Sequence, residues 1–206
     1  MADMAAFRAA VAAWAAGAPG DDAARTIAAG PPIRTTVLLE GPSDVAAVEA
    51  LATSRGRDLP GDGICVLAMG GAMSVGRFAR FLGPNGLGLH LTGLCDERER
   101  DFYVRGWAGA GADDRDFFVC RADLEDELIR ALGVDRVTEL IAAEGDLRAL
   151  ETFLQQPAQR TRPAPQQLRR FLGTKKGRKI HYGRVLAAAL TPDRVPAPLA
   201  GLFAVL

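Results

Sequence analysis

No stretch of this 206-residue chain approaches the ~20 consecutive apolar residues that a membrane-spanning helix needs. The alanine-rich opening, Met1 to Gly17, lacks the basic start of a secretory signal and carries an acid at Asp3. Its Phe7, Val11 and Trp14 fall at helical spacing, so an amino-terminal helix laid on the body is expected there. Cysteine is scarce. Cys65, Cys95 and Cys120 are odd in number, far apart, and each sits at one end of an apolar run. That pattern argues against a disulfide framework and for buried thiols in a reducing, cytoplasmic setting. Two phosphate-binding loops are also missing. There is no Gly-x-x-x-x-Gly-Lys-Ser/Thr, and no Gly-x-Gly-x-x-Gly follows the first strand-like run. No internal repeat is visible.

What is present suffices for a packed core. Hydrophobic residues make up 49% of the sequence, enough to set disorder aside, and the length fits one domain with a modest appendage. The net charge of zero hides a division: residues 1–159 carry 24 acids and 15 Lys/Arg, whereas residues 160–206 carry one acid and ten Lys/Arg. An acidic body can hold cations and a basic tail can meet phosphates.

Thr35 to Glu40 is β-branched and apolar up to its last residue, as expected of a strand buried on both faces. Gly41-Pro42-Ser43-Asp44 then opens a helix running to about Ser54. Ile64 to Met69 reads as a second strand, Gly70-Gly71 as a tight turn, and Met73 to Leu82 as a helix. Leu87 to Cys95 and Phe117 to Cys120 are the third and fourth strands, and Asp123 opens a helix through Leu132. Strands alternating with helices predict an α/β fold, a Rossmann-like parallel sheet of about four strands flanked by helices. After Gly133 only helical segments follow, separated by prolines. The chain thus divides into a helix and linker (1–32), an α/β domain (33–133) and a helical, basic carboxyl-terminal region (134–206).

The acids fall where strands end. Glu40 closes strand one and Asp44 opens the next helix; Asp96 closes strand three, with Glu97 and Glu99 behind it; Asp123 and Glu125 follow strand four. The carboxyl ends of parallel strands share one edge, where ligands bind, so three acidic groups are expected to converge there. Converging carboxylates stay ionised only with something positive among them, and hard oxygen ligands suit Mg²⁺ or Mn²⁺. Taken singly, Asp44 and Asp123 are also ordinary helix caps, and Glu97, Glu99, Asp126 and Glu127 ordinary solvated charges. Glu40 has no such role, and burying it unpaired would be costly.

The segment Val37-Leu38-Leu39-Glu40-Gly41-Pro42-Ser43-Asp44 resembles the first motif of Toprim domains, in which a strand ends in Glu-Gly and an Asp follows four positions after the Glu. With Gly-Gly-Ala-Met-Ser after strand two, it is similar to the Toprim portion of OLD-family (overcoming lysogenization defect) nucleases, over roughly residues 34–132. The resemblance implies one or two Mg²⁺ or Mn²⁺ ions held by Glu40, Asp44, Asp96, Glu99, Asp123 and Glu125. The family's second motif is Asp-x-Asp or Asp-x-Glu; here Arg98 takes the expected acidic place, and Glu97 or Glu99 would have to substitute. It further implies a late lysine that steadies transition-state charge, with Lys175, Lys176 and Lys179 as candidates and Lys176 the choice. OLD proteins couple Toprim to an ATPase. With no ATP site in this chain, a separate ATPase subunit is the implied partner.

Residues 160–184 hold nine Lys/Arg and no acid, and basic clusters of this kind favour a phosphate backbone. Arg169, Arg170, Lys175, Lys176, Arg178 and Lys179 are the expected nucleic-acid contacts, and Arg77 and Arg80 an extension of that track. The leading expectation is a metal-dependent endonuclease acting on DNA, with Glu40, Asp44, Asp96 and Lys176 as its catalytic residues. A non-catalytic Toprim module binding nucleic acid or an ATPase partner is the alternative, and a primase-like transferase the third. A homodimer is left open.

Overall fold

The computed structural model describes residues 4–30, 33–113, 116–175 and 177–206. Strands β1 (Thr35–Leu39), β2 (Ile64–Ala68), β3 (His90–Asp96) and β4 (Phe117–Cys120) form one parallel sheet in the order β2-β1-β3-β4. The strand interiors are buried on both faces, and their few polar residues, such as Thr36 and Thr92, are covered as well. Side chains alternate across the sheet, so Val37, Leu39, Val66 and Leu94 join one core while Leu38, Cys65, Leu67 and Cys95 join the other. The three cysteines are buried and unbridged, as the sequence predicts, and burial pushes the Cys65 thiol up to about 11.

On the second core lie α1 (Met4–Ala15), α2 (Asp21–Ala28), α4 (Val75–Leu82) and α5 (Arg100–Ala110). Phe7 and Val11 of α1 are buried, and Trp14 stacks on Phe81 with ring centroids 4.2 Å apart. The stretch expected as a linker therefore contains a helix, α2, whose single buried residue, Ala24, gives too faint an apolar pattern to read. Helix α5 was also not expected. Its two internal glycines hide the helical period, but Gly106 lies where an added Cβ would sit 3.3 Å from Gly76 of α4, so the glycine permits close helix packing. Arg77 does not join a basic track: its guanidinium donates to the carbonyls of Trp14 (2.7 Å) and Ala15 (2.9 Å) at the end of α1.

The first core carries α3 (Pro42–Ser54), α6 (Leu124–Leu132), α7 (Val134–Ala143), α8 (Leu147–Leu154), α9 (Ala164–Leu172), α10 (Arg178–Ala188) and α11 (Ala197–Val205). Helix α10 packs on α3 through Gly183, where a Cβ would come within 2.8 Å of the Ser43 carbonyl oxygen. Backbone cannot yield as a side chain does. Gly183→Ala should therefore cost about 1–3 kcal/mol, the usual range for overpacking, and lower the midpoint of thermal unfolding by several degrees. An unchanged midpoint would show that the two helices can part without loss. No described helix is long and apolar enough to cross a membrane.

Candidate metal centre

In the order β2-β1-β3-β4, the chain passes from β1 to β2 on one side and then crosses back to β3 on the other side of β1. The carboxyl ends of β1 and β3 flank that reversal, which is where open α/β sheets leave a crevice. Glu40 follows β1 and Asp96 ends β3. A 3-10 turn over Glu97–Glu99 brings the Glu99 carboxylate back to them. One carboxylate oxygen from each of Glu40, Asp96 and Glu99 lies within 4.8 Å of the others. Arg98 and Glu97 are exposed, so Glu99 is the acid that joins Asp96 in place of the one missing at position 98.

The backbone around Glu40 is held firmly. Its carbonyl accepts the N–H groups of Gly70 (3.0 Å) and Gly71 (3.1 Å). Both have positive φ, 75° and 124°, which a residue with a side chain would adopt only under strain. Behind the triad, the Tyr103 hydroxyl donates to the Leu94 carbonyl at 2.7 Å.

Unbalanced charge marks the triad. Burial, with the charges of Asp123, Glu99 and Glu40 behind it, raises Asp96 to about 7. Burial and the neighbouring Glu40 carboxylate raise Glu99 as well. Glu99 Oε2 is buried without a hydrogen-bond partner. Three carboxylate oxygens gathered against their mutual repulsion fit a hard divalent cation.

Asp44, Asp123 and Glu125 are at the same edge but are not brought into the triad. Asp44 sits in the first turn of α3, not at its cap, and its Oδ2 accepts from Gly41 N at 3.0 Å. Burial, then the charge of Glu125, lifts it to about 7. Asp123 is the cap of α6: Oδ1 accepts from Asp126 N (2.8 Å), while Oδ2 takes the Arg169 guanidinium, with Nε at 2.7 Å. Glu125 is 3% exposed and pairs with Lys179 Nζ at 3.1 Å. Burial raises its pKa, and Lys179 works against that rise.

A cleft of about 860 Å³ opens beside Glu97, Asp123 and Glu125, walled by Arg121, Arg130, Arg162, Arg169, Arg170 and Lys179. Arg121 and Arg162 were not foreseen. The position of Arg121, directly after β4, was the available signal, since that edge gathers functional groups. Lys175 is exposed, and Lys176 lies outside the described residues.

Arg178 requires a correction. Instead of facing solvent it is 8% exposed, donating to Thr174 Oγ1 (2.7 Å) and Asp146 Oδ1 (3.3 Å) and covering the Phe171 ring at 4.2 Å. Tyr182 donates to the other Asp146 oxygen at 3.1 Å. Arg178→Ala would leave Asp146 short of its charge partner. It should cost about 2–4 kcal/mol in urea denaturation, while the bound fraction on DNA, measured with folded protein, stays near that of the parent. A variant of unchanged stability and weakened DNA binding would restore the phosphate contact.

Residues 33–97 match the family model of the Toprim domain of overcoming lysogenization defect protein-like proteins. Among solved structures, the C-terminal region of the Burkholderia pseudomallei OLD protein is 21% identical, with 84% of this chain and 96% of that one covered at a TM-score of 0.63. The C-terminal region of the Xanthomonas campestris pv. campestris OLD protein, in its mercury-phased structure, is 24% identical, with 83% and 93% covered and a TM-score of 0.63. No curated protein matches. The chain is a Toprim-fold protein that resembles the Toprim portion of OLD-family proteins, and its fold is that of an OLD C-terminal region.

Proposed function

We propose that this protein is a divalent-metal-dependent nuclease that nicks or cleaves DNA. The observation that carries the reading is the meeting of Glu40, Asp96 and Glu99 oxygens within 4.8 Å at the sheet's ligand-binding edge. Mg²⁺ or Mn²⁺ bound there would supply an activated water and polarise a phosphate oxygen. The chain's own residues do the rest. Glu40, Asp96 and Glu99 hold the ion, and the charge of Asp44 acts on both Asp96 and Glu99 beside it. Arg121, Arg162 and Arg170 on the cleft wall would draw in the phosphate backbone, with the exposed Lys175 beyond them. Lys179 is a lysine that reaches the acidic edge, and Lys176 is kept as the proposed transition-state lysine from its place in the basic stretch.

The non-catalytic reading drew its strength from Arg98 in the second motif. Glu99 beside Glu40 and Asp96 weighs against it. Any ATPase acting with the protein would lie on another polypeptide or segment, because this sequence has no Gly-x-x-x-x-Gly-Lys-Ser/Thr loop. Supercoiled plasmid incubated with the purified protein should be nicked or linearised in Mg²⁺ or Mn²⁺ and left intact in EDTA. Intact plasmid under every metal, with Mn²⁺ binding retained, would leave a binding module.

A further inference from the structure

The carboxylates at this edge fall into two sets that the protein treats differently. Among the described residues, Glu40, Asp96 and Glu99 have no Lys or Arg within ion-pair distance. Asp123 and Glu125 each have a cation beside them, although Glu125 Oε2, like Glu99 Oε2, makes no hydrogen bond. Lys179 Nζ lies 3.1 Å from Glu125 Oε2, and Arg169 Nε lies 2.7 Å from Asp123 Oδ2. The fields of Asp44 and Asp123 also fall on the Lys179 ammonium and favour its charge.

We propose that Lys179 and Arg169 stand where a second divalent ion would otherwise sit, so that this chain binds a single divalent ion, at Glu40, Asp96 and Glu99. The inference rests on the metal-centre reading above and deepens it. Two unit charges fixed on side chains equal the charge of one divalent ion, so Asp123 and Glu125 are balanced without metal, while Asp44 has no Lys or Arg within ion-pair distance among the described residues. An ion entering there would have to strip the Arg169 guanidinium from Asp123, whose other oxygen caps α6. Arg169 Nε and Nη2 both meet the one oxygen Oδ2, a charge-assisted contact at the edge of the cleft. Lys179 is 48% exposed at its side chain, but its backbone is held. It lies in the first turn of α10, beside the buried Arg178 and one turn before Gly183, where α10 meets α3. Its backbone is thereby fixed opposite Glu125.

The test counts ions rather than turnover. Free Mn²⁺ is titrated into the full chain and followed by electron paramagnetic resonance, with circular dichroism reporting the fold. The parent and Lys179→Arg should bind one Mn²⁺ per chain. Lys179→Met should bind two, and Arg169→Met, which frees Asp123 instead, should do the same. Two ions on the parent, or both folded Met variants staying at one, would overturn the proposal. A parent that binds none would remove the metal centre itself, a failure distinguishable from either of these.

Discussion

Glu40→Gln should abolish metal-dependent nicking, by at least about 100-fold, and leave the chain folded and slightly more stable in EDTA. The amide keeps the size of the side chain and loses its charge, so the ion is left with Asp96 and Glu99 alone. The same loss relieves both neighbours, because the Glu40 charge is among the causes that push Asp96 and Glu99 up. The gain should be on the order of 1 kcal/mol, the scale of one like-charge contact near a protein surface. Plasmid nicking read beside urea denaturation checks both halves. Retained cleavage would take Glu40 out of the metal centre. A variant less stable than its parent in EDTA would mean that repulsion is not what the triad stores.

Without metal, stability should fall as pH rises from about 5 to 8, and Mg²⁺ or Mn²⁺ should reverse the fall only at the upper end. In the unfolded chain Asp44 and Asp96 have ordinary values of 3.8; in the fold both are raised to about 7, chiefly by burial. Glu99 and Glu125 shift the same way. Between those values the folded chain binds more protons than the unfolded one, so removing protons favours unfolding, and the penalty is complete above about 7. A divalent ion competes with those protons. At 100 times its dissociation constant it contributes about 2.7 kcal/mol, or roughly 5–10 °C for a chain of this size. Thermal melts at pH 5 and pH 8, with and without Mn²⁺, measure this directly. An equal metal effect at both pH values would show that the carboxylates are ionised throughout.

The parts of the fold and site that could be read from sequence are those governed by local rules. The β-branched and apolar run Thr35–Leu39 reads as a strand covered on both faces, and an acid directly after such a strand lies at the sheet's edge. With four such strands, the convergence of Glu40 and Asp96 follows from topology. The choice of Glu99 over Glu97 did not, because it depends on the 3-10 turn that sets their directions. The basic residues were the hardest to tell apart. In sequence Arg169, Arg178 and Lys179 look alike; in the fold one is paired with Asp123, one is buried against Asp146, and one faces Glu125. Their partners lie 46 and 32 residues away for the two arginines, beyond the reach of any spacing rule. Helix α2 escaped notice because it buries one alanine, and α5 because glycines interrupt its period.

The docking of α10 on α3 also constrains how the molecule can be made. During synthesis the strands and helices that carry the acidic edge emerge before α9 and α10. Arg169 and Lys179, which pair with part of it, come later, on α9 and α10. Until Gly183 reaches the Ser43 carbonyl, the nascent sheet must hold those carboxylates together with only protons or a scavenged ion for company. Contacts between segments this far apart in the chain form slowly. A ribosome paused before α10 would therefore display a sheet that the free metal in its surroundings could help to hold together.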